Sequence, residues 1–190
     1  MKIDPKKTAL LLMDMQDDIL GRVPETGAAV VSRAQTVLAA ARKAQMQVMH
    51  VVVGFRPGYP EISPKNASFG VVRATGRFVI TTPGADIVSA LRPEADEPIV
   101  VKRRVSAFAG SDLEVLLRAK GIDTLVLAGI ATSGVVLSTL RQAADADYGL
   151  VVVKDCCADG DEEVHRVLTE KIFPRQAQVV TATEAIAAFE

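Results

Sequence analysis

Short apolar runs recur along the chain, and a stretch with helical spacing follows most of them. The runs are "TALLLMD" (8–14), "QVMHVVVG" (47–54), "PIVVK" (98–102), "TLVLAGI" (124–130), "LVVVKD" (150–155) and "AQVVT" (177–181). Most are continuously apolar rather than alternating, the pattern of strands covered on both faces. Residues 28–46 place Val30, Ala34, Val37, Leu38 and Ala41 on one helical face. A second helix starts at "SDLEVLLRAKG", where Ser111 and Glu114 suggest a capping box and Gly121 a stop. Further helices are expected over 134–147, over 161–173 before Pro174, and in the closing "ATEAIAAF". Strands alternating with helices predict an α/β fold: a three-layer α/β/α sandwich on a six-stranded, mostly parallel, Rossmann-like sheet.

Residues 55–97 break this rhythm. The segment is long, rich in Gly and Pro, and carries Phe55, Tyr59, Phe69 and Phe78. Long loops in compact domains usually have a task, so it reads as a substrate lid or pocket wall, or else as a surface excursion or oligomer contact. The expected organisation is one domain over 1–190 with this insertion.

Composition narrows the possible partners. The chain has 190 residues and a net charge of -1, so no electrostatic pull on nucleic acid or on an anionic membrane is expected. No apolar stretch approaches the ~20 residues of a membrane span. The N-terminal apolar run is too short for a signal peptide and meets Asp14, Asp17 and Asp18. The two cysteines, Cys156 and Cys157, are adjacent and cannot make an ordinary staple, so a cytoplasmic location is the expectation.

In open parallel sheets ligands bind beyond the carboxyl ends of the strands. Strand one delivers Asp14 and Gln16 there, and strand two delivers Gly54, Phe55 and Arg56. Strand three brings Lys102 with Arg103 and Arg104, strand four the turn from Gly129 to Gly134, and strand five Asp155, Cys156 and Cys157. An acid and a base arriving from separate strands suit proton transfer. Each also has a plain reading: Asp14 as a cap, Lys102 as a solvated strand-end charge. His50 reads as a core histidine and His165 as an inert residue on an exposed helix face. No ligand spacing supports a metal, and no G-x-G-x-x-G or P-loop pattern supports a nucleotide, so no cofactor is expected.

Taken together, "ALLLMDMQDD" and the stretch from "VVKRRVSAFAGSDLEVLL" through "TLVLAGIATSGVVLST" to "VVVKDCCAD" resemble the isochorismatase-like hydrolases, often called cysteine hydrolases. The resemblance implies an Asp-Lys-Cys triad whose aspartate falls on Asp14 and whose lysine falls on Lys102. It implies a cis peptide between Ile130 and Ala131, and oxyanion-binding backbone N–H groups from Ala131 and Val135. It also implies a homodimer or larger homo-oligomer, and a small-molecule substrate. Gln16, Phe55, Arg56, Phe108, Thr132 and Ser133 are the candidate substrate contacts, with Arg56, Arg103 or Arg104 available for a carboxylate. The chain departs from the family pattern at the nucleophile, where Val135 stands in place of cysteine. Cys156 and Cys157 lie after the next strand and read as packing residues. Ser133 and Ser138 carry hydroxyls nearby, but no general base for either is apparent.

Three readings stay open. The first is hydrolysis without a covalent intermediate, as the resemblance to true isochorismatases implies, with Asp14 as the acid and Lys102 as its electrostatic partner. The second is a pseudoenzyme that binds a ligand or partner. The third is a structural oligomer subunit.

Overall fold

The structure, a computed structural model, describes residues 3–189. Its strands are β1 (Thr8–Met13), β2 (Gln47–Val53), β3 (Ile99–Lys102), β4 (Thr124–Ile130), β5 (Gly149–Ala158) and β6 (Gln178–Val180). Its helices are α1 (Asp17–Leu20), α2 (Pro24–Lys43), α3 (Ala67–Thr75), α4 (Leu113–Ala119), α5 (Leu137–Asp145), α6 (Glu162–Val167) and α7 (Ala182–Phe189). The strands form one sheet in the order β3-β2-β1-β4-β5-β6, and every ladder is parallel.

β1 is buried along its whole length, and its side chains alternate between two cores. Leu10 and Leu12 join α2 and α7 on one face, while Ala9, Leu11 and Met13 join α4 and α5 on the other. A strand apolar at every position is therefore what two covered faces require. The chain moves outward from β1 to β3 and returns to β4 on the opposite side. That reversal between β1 and β4 opens a crevice at the carboxyl ends of the two strands. The strands also lie very close there: a Cβ on Gly129 would fall 2.5 Å from the Met13 carbonyl oxygen, so only glycine fits.

Several helix expectations change. The capping box does not form. Ser111 Oγ accepts from the Leu113 N–H at 3.3 Å and donates to the Ala107 carbonyl, while Glu114 turns to Arg118, 2.7 Å away on the next helical turn. The expected helix 134–147 begins instead with a wide π-type turn over Thr132–Val136 and becomes α-helical only at Leu137. Residues 55–97 are not simply a loop. Asn66 Oδ1 accepts the Phe69 N–H to start α3, and Gly76, at φ 69°, ends it.

β5 also runs further than its apolar core suggested. Its register against β4 jumps from Leu127↔Val152 to Gly129↔Cys157, a bulge that displaces Lys154 and Asp155 sideways. Asp155 thus caps α7, accepting the Ala182 N–H at 2.7 Å, and does not reach the rim. Asp159 takes the rim position.

Candidate active site

Asp14 directly follows β1 and Lys102 ends β3, with β2 between them. The Lys102 ammonium lies 2.9 Å from Asp14 Oδ2 and donates to the Arg104 carbonyl at 3.0 Å. Both residues are nearly sealed from solvent, at 5% and 2% exposure. Asp14 has a left-handed backbone, φ 57°, which aspartate tolerates better than most residues. Its other oxygen, Oδ1, is buried and has no hydrogen-bond partner among the described residues. Burial raises the Asp14 carboxyl above the usual carboxylate range, although Lys102 beside it acts in the opposite sense. A buried carboxylate oxygen without a partner is costly in a folded chain. Glu61 Oε2 is in the same state, but of the two only Asp14 lines a cavity where a ligand or proton could be received.

The pair opens onto a cavity of about 380 Å³. Its walls are mainly apolar and include Val23, Val53, Phe69, Val72, Phe78 and Val135. Ile130, Ala131 and Gly134 bring the turn after β4 to the same space, and the Ile130–Ala131 peptide is cis. Val135 is 2% exposed and packs into the core behind the cavity. The turn is held from outside by two side chains that the sequence did not single out for this purpose. Asp159 Oδ2 accepts the Ser133 N–H at 2.7 Å, and Thr132 Oγ1 lies 2.8 Å from His165 Nδ1.

Of the expected contacts, Asp14, Lys102, Ile130, Ala131 and Val135 converge. The others do not line this cavity. Gln16 is fully buried and fully occupied: its amide NH2 donates to the Val53 and Ala85 carbonyls, and its Oε1 accepts the Val53 N–H. It clamps β2 to the 83–85 turn and has no group left for a substrate. Phe55 is buried behind the wall, 5.4 Å from the Phe69 ring centroid. Phe108 packs on Tyr148 over the other face of the sheet. Thr132 is fully buried and engaged with His165, and Ser133 faces solvent.

The three expected arginines are also committed elsewhere. Arg56 pairs with Glu61 at 2.7 Å, Arg103 donates to the Gly54 carbonyl, and Arg104 donates to the Glu61 carbonyl. His165 is neither exposed nor idle; it is half-buried, and burial lowers its pKa below the ordinary histidine value. Cys156 and Cys157 are buried on opposite faces of the sheet. Burial pushes the Cys157 thiol up to about 12 and raises Cys156 as well, so neither is a ready thiolate.

Two charged residues of the cavity escaped the sequence reading. Arg22 sits between α1 and α2, with its guanidinium 5.8 Å from the centroid of the Phe78 ring. Phe78 itself has φ 59°, a conformation that costs a bulky residue roughly 1–3 kcal/mol. The Phe78 carbonyl accepts the Phe55 N–H at 2.8 Å, and that bond helps to hold it. Asp159 is the second.

The match to the isochorismatase domain runs over residues 8–184, nearly the whole chain. The chain belongs to the isochorismatase family. It is similar to the isochorismatase family protein YecD of Escherichia coli O157:H7, at 33% identity over 98% of each chain. It is also similar to maleamate amidohydrolase of Pseudomonas putida, at 30% identity over 95% of this chain and 86% of that one. Among solved structures, a cysteine hydrolase from Pseudomonas syringae pv. phaseolicola superposes with a TM-score of 0.92 at 25% identity, covering 100% of this chain and 95% of that one. As an isochorismatase-family chain, it has hydrolases acting on small molecules among its relatives.

Proposed function

We propose that this isochorismatase-family protein is a thiol-independent hydrolase of a small, carboxylate-bearing molecule, with Asp14 as acid/base and Lys102 as its electrostatic partner. The observation that carries this reading is the buried, unpartnered Oδ1 of Asp14 facing a cavity that also contains the β4 turn. A carboxyl raised by burial keeps its proton to higher pH than an ordinary aspartate, which is the direction a general acid needs. Asp14 would protonate the vinyl carbon of a bound vinyl ether. Water would add to the oxocarbenium ion so formed and return its proton to the carboxylate, and the resulting hemiketal would break its C–O bond to release an alcohol and a carbonyl compound. Lys102 stabilises the carboxylate while it is charged. The N–H groups of Ala131 and Val135 are the expected donors to any oxyanion. Val135, in place of the family's cysteine, supplies apolar wall.

The decisive experiment is turnover on a panel of carboxylate-bearing vinyl ethers, esters and amides; amides belong in the panel because maleamate amidohydrolase is similar to this chain. Activity should be lost in Asp14→Ala and kept in Cys156→Ala and Cys157→Ala. Loss with the cysteine changes would sink the proposal. The second reading, a ligand-binding pseudoenzyme, is favoured by Val135 alone. It predicts no turnover of any panel member, and an alkylatable thiol in Val135→Cys. We place the protein in the cytoplasm as a homodimer or larger homo-oligomer, with residues 55–97 as a cavity wall over the site. Analytical ultracentrifugation tests the assembly.

A further inference from the structure

We infer that Arg22 is the specificity determinant of this cavity, reading a carboxylate held at its mouth while the reacting group points inward to Asp14. The inference rests on reading this cavity as the substrate site. The inner end contains the buried Asp14–Lys102 pair, whose ammonium is already engaged by Asp14 and by the Arg104 carbonyl. The walls beyond that pair are apolar. The other cations near the rim are occupied: Arg56 and Arg103 by Glu61, and Arg104 by backbone carbonyls.

Arg22 differs from all of these. Its side chain has no hydrogen bond or carboxylate partner among the described residues, and its guanidinium rests over the Phe78 ring. A guanidinium drawn over an aromatic face by cation–π attraction keeps its N–H groups free for a planar, bidentate anion. The backbone supports this. Phe78 adopts φ 59°, and a bulky residue kept in that conformation points to a task for its ring. Here the ring both lines the cavity and carries Arg22. A substrate with an apolar body and one terminal carboxylate fits this order of groups from mouth to floor.

The test uses three probes with the same phenylpropyl body and different heads: 3-phenylpropionate, 3-phenylpropan-1-ol and 3-phenylpropylamine. Binding to the full chain is titrated by NMR or calorimetry. The carboxylate should bind about tenfold more tightly than the alcohol or the amine. Arg22→Met, which keeps an apolar stem over Phe78, should abolish that preference, and Arg22→Lys should keep part of it. Equal binding of acid and alcohol overturns the inference, and so does a preference that survives Arg22→Met. Tighter binding of the amine would assign the mouth to Asp159 and also overturn it. Because the readout is binding, an Arg22-dependent preference in a protein without turnover would reject the hydrolase reading and leave this inference standing.

Discussion

Two buried charge clusters flank β2 and β3, and they differ in one respect. Toward the amino-terminal end of β3, Glu97 is saturated. Its oxygens take Arg42 at 2.7 and 2.8 Å, His50 at 2.9 Å and the Glu94 N–H at 2.9 Å. Toward the carboxyl end, Asp14 has Lys102 on one oxygen and nothing on the other. The carboxyls respond in opposite directions: Glu97 is held down to about 2, while Asp14 is raised. A saturated acid is fixed as an anion and serves the fold. An unsaturated one can exchange a proton.

The largest effects should come from the unsaturated cluster. Asp14→Asn keeps the size and tolerates the φ of 57°, yet it removes the exchangeable proton. It should lower kcat/KM by about 10²–10⁴ on any substrate that the panel identifies, the usual range for general acid–base catalysis. Steady-state kinetics decide, and full activity in Asp14→Asn would refute the contrast between the clusters. Lys102→Met removes one partner of a buried pair and should cost about 3–5 kcal/mol of stability in urea unfolding. Adding Asp14→Asn to it should cost less than the two single changes summed, because the pair is coupled.

The two clusters were not equally legible in the sequence. Continuous apolar runs showed all six strands, because burial on both faces leaves no polar alternation to misread. Strand ends then gave Asp14, Lys102 and the β4 turn. Helix α3 was missed because Gly70 and the β-branched pair Val71-Val72 weaken its pattern, although Asn66 and Gly76 mark its ends. The arginines were misassigned for a different reason. Proximity to the rim suggested Arg56, Arg103 and Arg104, but Glu61, which no periodicity ties to them, neutralises or anchors that group. Arg22 lies in an irregular link, where only tertiary structure reveals the Phe78 ring beneath it. Asp159 and Asp155 were exchanged because a bulge extends β5 past the point where its apolar run ends.

The saturated cluster makes an intermediate prediction. Glu97 is depressed relative to its unfolded value, so its contribution to stability is fully present above the ordinary glutamate range. It should be lost as pH falls from about 4.5 toward about 2. His50 adds in the same direction. Burial lowers its pKa, so the unfolded chain binds protons more readily below about 6.5 and the folded state loses stability there. Urea midpoints measured across pH 2–7 should fall on the acid side, and Glu97→Gln should flatten the lower part of that fall. It should leave turnover at pH 7 unchanged. A change in turnover would mean that the saturated cluster also reaches the chemistry.

The smallest effect concerns the support of the turn rather than either cluster. Thr132 is wholly buried, and its hydroxyl has one side-chain partner, His165 Nδ1. Thr132→Val keeps the shape and removes the hydroxyl, leaving a half-buried imidazole nitrogen without its partner. A single lost hydrogen bond of this kind costs about 0.5–1.5 kcal/mol. Thr132→Ser keeps the hydroxyl and should restore most of it. Asp159 continues to hold the adjacent Ser133 N–H, so the turn keeps a second support and kcat/KM should change less than tenfold. Kinetics and urea midpoints on the Val and Ser variants separate these outcomes. A loss of activity as deep as that of Asp14→Asn would mean that the turn and the Asp14–Lys102 pair act as one unit, and the satisfied contacts around the turn would then no longer count as mere scaffolding.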